Sequence, residues 1–269
     1  MQSSEFRLCP IASGSSGNCT YIEAGDKRFL VDIGISGKKV IAGLTQLDID
    51  PSTINGILIT HEHSDHIKGV GIYCRKFNVP IYATQITWDK MMGEKMIGEI
   101  KEEMRRVIEK EVYINEGDLN IMPYGIHHDA IDPVGYIFEY KGKKITLTTD
   151  CGIIDEQILS KISGCDGILL EFNHDIRMLE AGAYPFYLKK RILSNVGHLN
   201  NEDAAKALVE IYHPGLKWAV LGHLSKDNNV PDLAFLTAQT ALEEHNIKVG
   251  EDLEVYVAKR DEVSKSFYV

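Results

Sequence analysis

Apolar residues fall in short runs along this chain, and most runs stop abruptly on a polar residue. Residues 29–31 form a β-rich run that ends on Asp32-Ile33-Gly34. Residues 57–60, Ile-Leu-Ile-Thr, end directly on His61. Residues 134–140 and 144–149, joined by Lys141-Gly142-Lys143, predict a hairpin that ends on Asp150. Residues 167–172 make a continuous apolar strand, and residues 218–221 a further one that ends on Gly222-His223. Residues 253–257 predict a last strand. Residues 79–83 also read as a strand, and Pro80 near its start predicts a sheet edge. Helical spacing marks residues 201–212, with Ala204, Leu208 and Ile211 on one face, and residues 231–245. Residues 87–110 carry helix formers of mixed charge and predict a third helix with a solvated face. Strands alternating with helices predict a layered α/β protein, with no repeat or linker to divide it, so residues 1–269 are expected to form one domain.

The polar residues that end these runs are of metal-binding type: Asp32, His61, Asp150 and His223. Strand ends deliver side chains from a rigid backbone into a shared crevice. His61-Glu62-His63-Ser64-Asp65-His66 packs three histidines and an aspartate into six residues. Neutral imidazole suits zinc, iron or manganese, and a carboxylate adds charge and can bridge two ions. Glu62 receives no role and is expected to point away from the cluster. Cys151 adjoins Asp150, but neighbouring strand residues face opposite sides, so the two are not expected to share one site.

Thr60-His61-Glu62-His63-Ser64-Asp65-His66 resembles the HxHxDH signature of the metallo-β-lactamase superfamily. The other motifs follow in order along nearly the whole chain: Asp32, then His127 or His128, Asp150 in Thr148-Thr149-Asp150, and His223 in Leu221-Gly222-His223-Leu224-Ser225. The resemblance implies an αβ/βα four-layer sandwich and two divalent metal ions, zinc, manganese or iron. It implies that His61, His63 and His128 hold one ion, that Asp65, His66 and His223 hold the other, that Asp150 bridges them, and that Asp32 buttresses the ligand loop. A water between two such ions is deprotonated near neutral pH, and the cations neutralise charge on the attacked centre. Phosphodiesters, thioesters, lactones and lactams are all candidate substrates for that chemistry.

Further segments narrow the choice. Ser13-Gly14-Ser15-Ser16-Gly17-Asn18-Cys19-Thr20-Tyr21 reads either as a turn presenting backbone N–H groups to an anion or as a turn between the first two strands. Phe172-Asn173-His174-Asp175 follows a strand, which makes His174 a candidate substrate contact alongside Asn18. Gly197-His198-Leu199-Asn200-Asn201 leads into an alanine-rich helix and is similar to a segment of the tRNase Z group whose histidine protonates a leaving oxygen. With His128-Asp129-Ala130-Ile131-Asp132-Pro133 and His223-Leu224-Ser225-Lys226-Asp227-Asn228-Asn229, these segments resemble the YycJ/WalJ family of nucleases. Asn200 and Cys151 depart from that family's commoner Ser and Thr. The resemblance favours His128 over His127 as ligand. It implies a phosphodiesterase acting on DNA rather than RNA, as an exonuclease, in which a metal-bridging hydroxide attacks phosphorus, Asp65 orients the nucleophile and His198 assists the leaving group. A thioester or lactone hydrolase, and a catalytically inactive binder of the same fold, are the competing expectations.

Composition changes this picture little. The 269 residues are 44% hydrophobic and 25% charged, which is ordinary globular composition. A net charge of −10 argues against coating nucleic acid by bulk electrostatics, but not against an enzyme that meets a phosphate with bound cations. The five cysteines are widely spaced without a CxxC pair, as expected of free thiols in a reducing compartment. The first residues lack an apolar signal core and no run has the length of a membrane span, so a soluble cytoplasmic protein is expected.

Overall fold

The computed structural model describes residues 5–269; residues 1–4, part of the stretch read for a signal core, lie outside it. The apolar runs form two seven-stranded sheets. In the first, β1 (Phe6–Ala12), β2 (Cys19–Ala24) and β3 (Lys27–Val31) are antiparallel. Next to β3, β4 (Gly56–Leu58), β5 (Ile81–Thr84) and β6 (Arg105–Ile108) continue in parallel. The second sheet runs from the antiparallel β7 (Ile114–Glu116), β8 (Leu119–Gly125), β9 (Val134–Tyr140) and β10 (Lys143–Thr148) to the parallel β11 (Gly167–Glu171), β12 (Trp218–Gly222) and β13 (Glu254–Val257). A final strand, β14 (Phe267–Tyr268), returns to pair with β1.

The strands that read as continuous apolar runs are covered on both faces, the condition that such runs satisfy. In β11, Leu169 joins a core with Phe29, Phe138 and Val220, drawn from both sheets, while Ile168 and Leu170 turn to the other face. That other face packs on α5 (Glu156–Ile162), α8 (Asn201–Ile211) and α9 (Pro231–Glu244), through Ile158, Leu208 and Ala238. The first sheet is backed in the same way by α1 (Gly37–Gln46), α3 (Val70–Phe77) and α4 (Gln85–Gly93), through Val40, Tyr73 and Trp88, while α2 (Ser64–Ile67) is a single turn inside the histidine cluster. Three cores between four layers make the αβ/βα sandwich. Two short helices, α6 (Ile176–Ala181) and α7 (Phe186–Ile192), stand in the connection between β11 and β12. No helix among the described residues is long and apolar enough to cross a membrane.

Two sequence expectations fail here. Residues 87–110 are not one helix: α4 ends at Gly93, a short 3-10 turn spans Glu102–Met104, and Arg105–Ile108 is strand β6. Glycine at 93 and 98 weakens helix propagation, Gly98 sits at φ +71°, and the charge of Arg105 and Arg106 suits an edge strand, which β6 is. Conversely, β5 is not an edge but lies between β4 and β6. Pro80 precedes its first residue, so the missing N–H falls outside the ladder, and the Pro80 carbonyl still accepts from Ile57 N at 2.9 Å.

Candidate metal centre

Loops at the ends of β1, β3, β4, β10, β11 and β12 meet at one end of the sandwich. Three of the strand-ending residues adopt left-handed backbone: Asp32 (φ 58°), Asp150 (φ 56°) and His223 (φ 55°). Each such conformation costs on the order of 1–3 kcal/mol for a residue with a Cβ, so the surroundings must impose it. They do so by hydrogen bonds: Asp32 N donates to Leu58 O at 2.9 Å, and His223 N donates to Ser13 Oγ at 2.9 Å. The turn after β1 and the histidine loop are laced together. Asn18 N donates to Asp65 O (2.8 Å), Gly34 N to Asn18 O (2.7 Å) and Ile33 N to His66 O (2.8 Å). Glycine is required at 34, because a Cβ there would lie 1.5 Å from Asp65 O.

The imidazoles are oriented by what their outer nitrogens touch. His66 Nδ1 donates to Asp32 Oδ2 at 2.8 Å, and Asp32 also accepts from Thr60 N (2.9 Å) and Thr60 Oγ1 (2.7 Å). His61 Nδ1 lies 3.0 Å from Thr60 Oγ1, His128 Nδ1 donates to Gly197 O at 3.2 Å, and His223 Nδ1 donates to Glu171 Oε1 at 2.8 Å. With Nδ1 occupied in each, Nε2 is the nitrogen left with a lone pair. Those nitrogens converge. His61 Nε2 is 3.1 Å and His128 Nε2 3.3 Å from His63 Nδ1. Asp150 Oδ2 is 3.2 Å from His66 Nε2, and Asp150 Oδ1 is 3.5 Å from His223 Nε2 and 3.7 Å from His128 Nε2. Asp65 Oδ2 reaches His66 Nε2 at 3.5 Å and His223 Nε2 at 3.8 Å.

Acceptors pointed at acceptors repel unless a proton or cation stands between them. Burial, helped by the neighbouring His66, holds His61 well below the ordinary imidazole range, and burial lowers His128 as well, so these rings meet as neutral ligands. On the other side, burial opposes charge on His66 and His223, yet Asp150 outweighs it and raises both, His223 to about 10. The carboxylates therefore demand positive charge, which divalent cations would supply. Asp150 Oδ2 and His223 Nε2 are buried without a hydrogen-bond partner among the described residues. Two donor sets, His61–His63–His128 and Asp65–His66–His223, each have ligand atoms within 4.8 Å of one another, and Asp150 lies beside both. Imidazole and carboxylate are the donors that zinc, manganese and iron accept. These residues fit two cations.

The remaining candidates take distinct places. His127 is on the surface, with Nε2 2.7 Å from Asp155 Oδ2, because it faces the opposite way from its neighbour His128. His127→Ala is accordingly expected to leave turnover within about twofold of wild type in a steady-state assay, as for a surface change worth roughly 0.5 kcal/mol. Cys151 is turned into the core under α5 and α8; its thiol donates to Ile153 O and is pushed up to about 12 by burial, so it is no thiolate ligand. Glu62 does point away from the cluster, but it is not idle. Its Oε1 accepts from Ile131 N at 3.0 Å and so ties the histidine loop to the segment after His128. Asn18 places Nδ2 3.1 Å from His66 Nε2 and accepts from Gly14 N at 2.9 Å. His198 lines a cavity of about 310 Å³ shared with His63, Asp65, Asp150, Asn173 and Arg191.

His174 does not line that cavity; it is 1% exposed, with neither ring nitrogen hydrogen-bonded. Burial pushes it down to about 4 from 6.5. A histidine whose folded pKa is depressed favours the folded state above pH 6.5 and withdraws that support as pH falls toward 4. The drop in melting temperature between those pH values is expected to be smaller for His174→Leu than for wild type, by the equivalent of up to roughly 3 kcal/mol.

Glu171 is the residue that sequence reasoning missed. It sits in the strand read as wholly apolar, is 0% exposed, and ends β11 facing the site. It accepts from His198 Nδ1 and His223 Nδ1, both at 2.8 Å on Oε1, and from Cys151 N at 2.7 Å on Oε2. Burial opposes its ionisation, but the two histidines, His198 first, bring it down to about 2. A carboxylate inside an otherwise apolar, doubly covered strand was the available signal.

Residues 12–223 match the model of the metallo-beta-lactamase superfamily. The chain is 40% identical over 256 residues to the exodeoxyribonuclease WalJ of Streptococcus pneumoniae, covering 95% of each chain. It is 40% identical over 246 residues to the exodeoxyribonuclease YycJ of Bacillus anthracis, covering 91% of this chain and 92% of that one. Among solved structures, the metallo-beta-lactamase fold protein YhfI from Bacillus subtilis superposes with a TM-score of 0.74 at 16% identity, over 99% of this chain and 100% of that one, which shows the shared fold. By its sandwich, its ordered histidine and aspartate motifs and these matches, the chain belongs to the metallo-β-lactamase superfamily, in the WalJ/YycJ family of metal-dependent hydrolases.

Proposed function

We propose that this protein is a cytoplasmic, dinuclear metal-dependent exodeoxyribonuclease whose catalytic domain is the whole chain, residues 1–269. The convergence of imidazole nitrogens and carboxylate oxygens around Asp150 carries the reading, and the names of relatives 40% identical over nearly the full length support DNA as the substrate. His61, His63 and His128 would hold one ion, Asp65, His66 and His223 the other, and Asp150 both. Two divalent cations, when bound, supply Lewis-acid charge and lower the pKa of coordinated water; zinc, manganese and iron all suit this donor set.

The chain's own residues do the rest. Asp65 accepts a hydrogen bond from the attacking water and orients it. Arg191 in the cavity wall, its Nε paired with Asp129, offers its remaining guanidinium N–H groups to a phosphate oxygen. His198 stands between His128 and His223, with ring centroids 5.2 and 5.3 Å away, and its Nδ1 is held by Glu171. Burial opposes its charge, but Glu171 raises its pKa, so its other nitrogen carries a proton to give to the leaving oxygen. Asn18 Nδ2 lies beside His66 Nε2, and His174, whose ring nitrogens make no hydrogen bond, takes no part in the reaction. That all five cysteines are free suits a reducing compartment.

The test is release of mononucleotides from end-labelled linear DNA, with closed circular DNA and RNA of the same sequence alongside. Linear DNA degraded from its ends, with the circle intact and RNA slower, is expected. Cleavage of the circle, preference for RNA, or turnover only of a thioester such as S-lactoylglutathione would contradict the reading.

A further inference from the structure

Opposite the histidine loop, the cavity is walled by α7, whose Leu188, Arg191 and Ile192, spaced three and four apart, face inward. The other face of this helix holds Phe186 and Tyr187, which are 82% and 74% exposed. Lys190, three and four residues on, shares that face and makes no ion pair among the described residues. Two adjacent aromatics so bare are costly on a surface unless something covers them. Residues 182–197 hold three cations and no acid in a chain of net charge −10; Arg191 is paired with Asp129, while Lys189 and Lys190 make no ion pair among the described residues. An apolar occupant without charge would not call for that; a nucleic-acid strand calls for both, since bases stack on aromatic rings and phosphates meet cations.

Resting on the exonuclease reading above, we propose that the outer face of α7 is the docking platform for single-stranded DNA beyond the scissile bond, with bases stacked on Phe186 and Tyr187 and a phosphate met by Lys190. The reach is consistent. A helix is about 10 Å across, and a strand rises roughly 3.4 Å per nucleotide when stacked, so the platform engages bases about three steps from the bond being cut. Stacking is indifferent to base identity, as an exonuclease that must digest any sequence requires.

Phe186→Ala/Tyr187→Ala tests it, with Phe186→Trp/Tyr187→Phe as the ring-retaining partner. The alanine pair is expected to raise KM for a single-stranded oligonucleotide by at least about 10-fold, each lost base–aromatic stack being worth roughly 5- to 150-fold. Cleavage of a dinucleotide and of bis(p-nitrophenyl) phosphate, neither of which reaches the platform, is expected to stay within about twofold of wild type, as for a surface change remote from the bound substrate. The ring-retaining pair is expected to keep the wild-type KM. Fluorescence of 2-aminopurine placed three nucleotides from the end is expected to be quenched on binding wild type and not the alanine pair. An unchanged oligonucleotide KM in the alanine pair, equal losses on long and short substrates, or loss of affinity in the ring-retaining pair would overturn the platform. So would a change in oligomeric mass with KM unmoved, which would make this face a contact between copies of the chain. Failure of wild type to degrade any DNA would instead refute the exonuclease reading itself.

Discussion

Asp150→Asn protein is expected to degrade end-labelled DNA at least about 10³-fold more slowly than wild type and to retain less bound metal after gel filtration. The reason is that, among the described residues, Asp150 is the carboxylate that lies beside both donor sets. Its Oδ2 is 3.2 Å from His66 Nε2, and its Oδ1 is 3.5 Å from His223 Nε2 and 3.7 Å from His128 Nε2. It is 2% exposed, so no solvent ligand can replace it without rearrangement. Asparagine keeps the shape and removes the charge, and its amide nitrogen turns a donor toward cations that need an acceptor. Loss of a partner behind a metal ligand typically costs about 10- to 100-fold, and loss of a ligand shared by two ions exceeds that. Turnover within about 10-fold of wild type, measured as initial rate with metal content determined on the same sample, would remove Asp150 from the centre.

Glu171→Gln is the second large effect, expected at about 10- to 100-fold in kcat with weakened metal retention. Glu171 touches no proposed donor atom directly, yet one oxygen holds both His198 and His223 at 2.8 Å. The amide can accept on one side only and must present an N–H to the other, so either the rings or the Cys151 N–H loses its acceptor. Its signature differs from that of Asp150→Asn. Because Glu171 holds His198, the proposed proton donor, in place, the loss should be larger for substrates with a poor leaving group, such as DNA, than for bis(p-nitrophenyl) phosphate, whose leaving group needs little protonation. Equal losses on both would assign Glu171 to His223 alone.

How much of the fold and the site was legible in the sequence depends on where each residue stands relative to its strand. Asp32, His61, Asp150 and His223 interrupt apolar runs, and a run that stops on a polar residue advertises a strand end. Glu171 also ends a strand, but Phe172 after it is apolar, so the run continues through it in the sequence. His127 and His128 are adjacent, and only backbone direction decides which faces the cavity. The hydrogen bonds that choose the tautomers, such as His128 Nδ1 to Gly197 O, join residues far apart in the chain and have no local trace. Residues 87–110 mislead because charge without a clear apolar stripe fits an edge strand as well as a helix face. The aromatic pair Phe186–Tyr187 carries no signal either: exposed and buried aromatics are the same letters until the fold separates them.

The most direct measurement is metal titration of chelator-stripped protein, following nucleotide release from end-labelled linear DNA as manganese or zinc is added. Two cations held around Asp150 predict no release from stripped protein, full activity as the second ion binds, and no recovery at any concentration for Asp150→Asn. Release by the stripped protein, or two tightly bound ions with no release from any DNA, would contradict that centre and its chemistry.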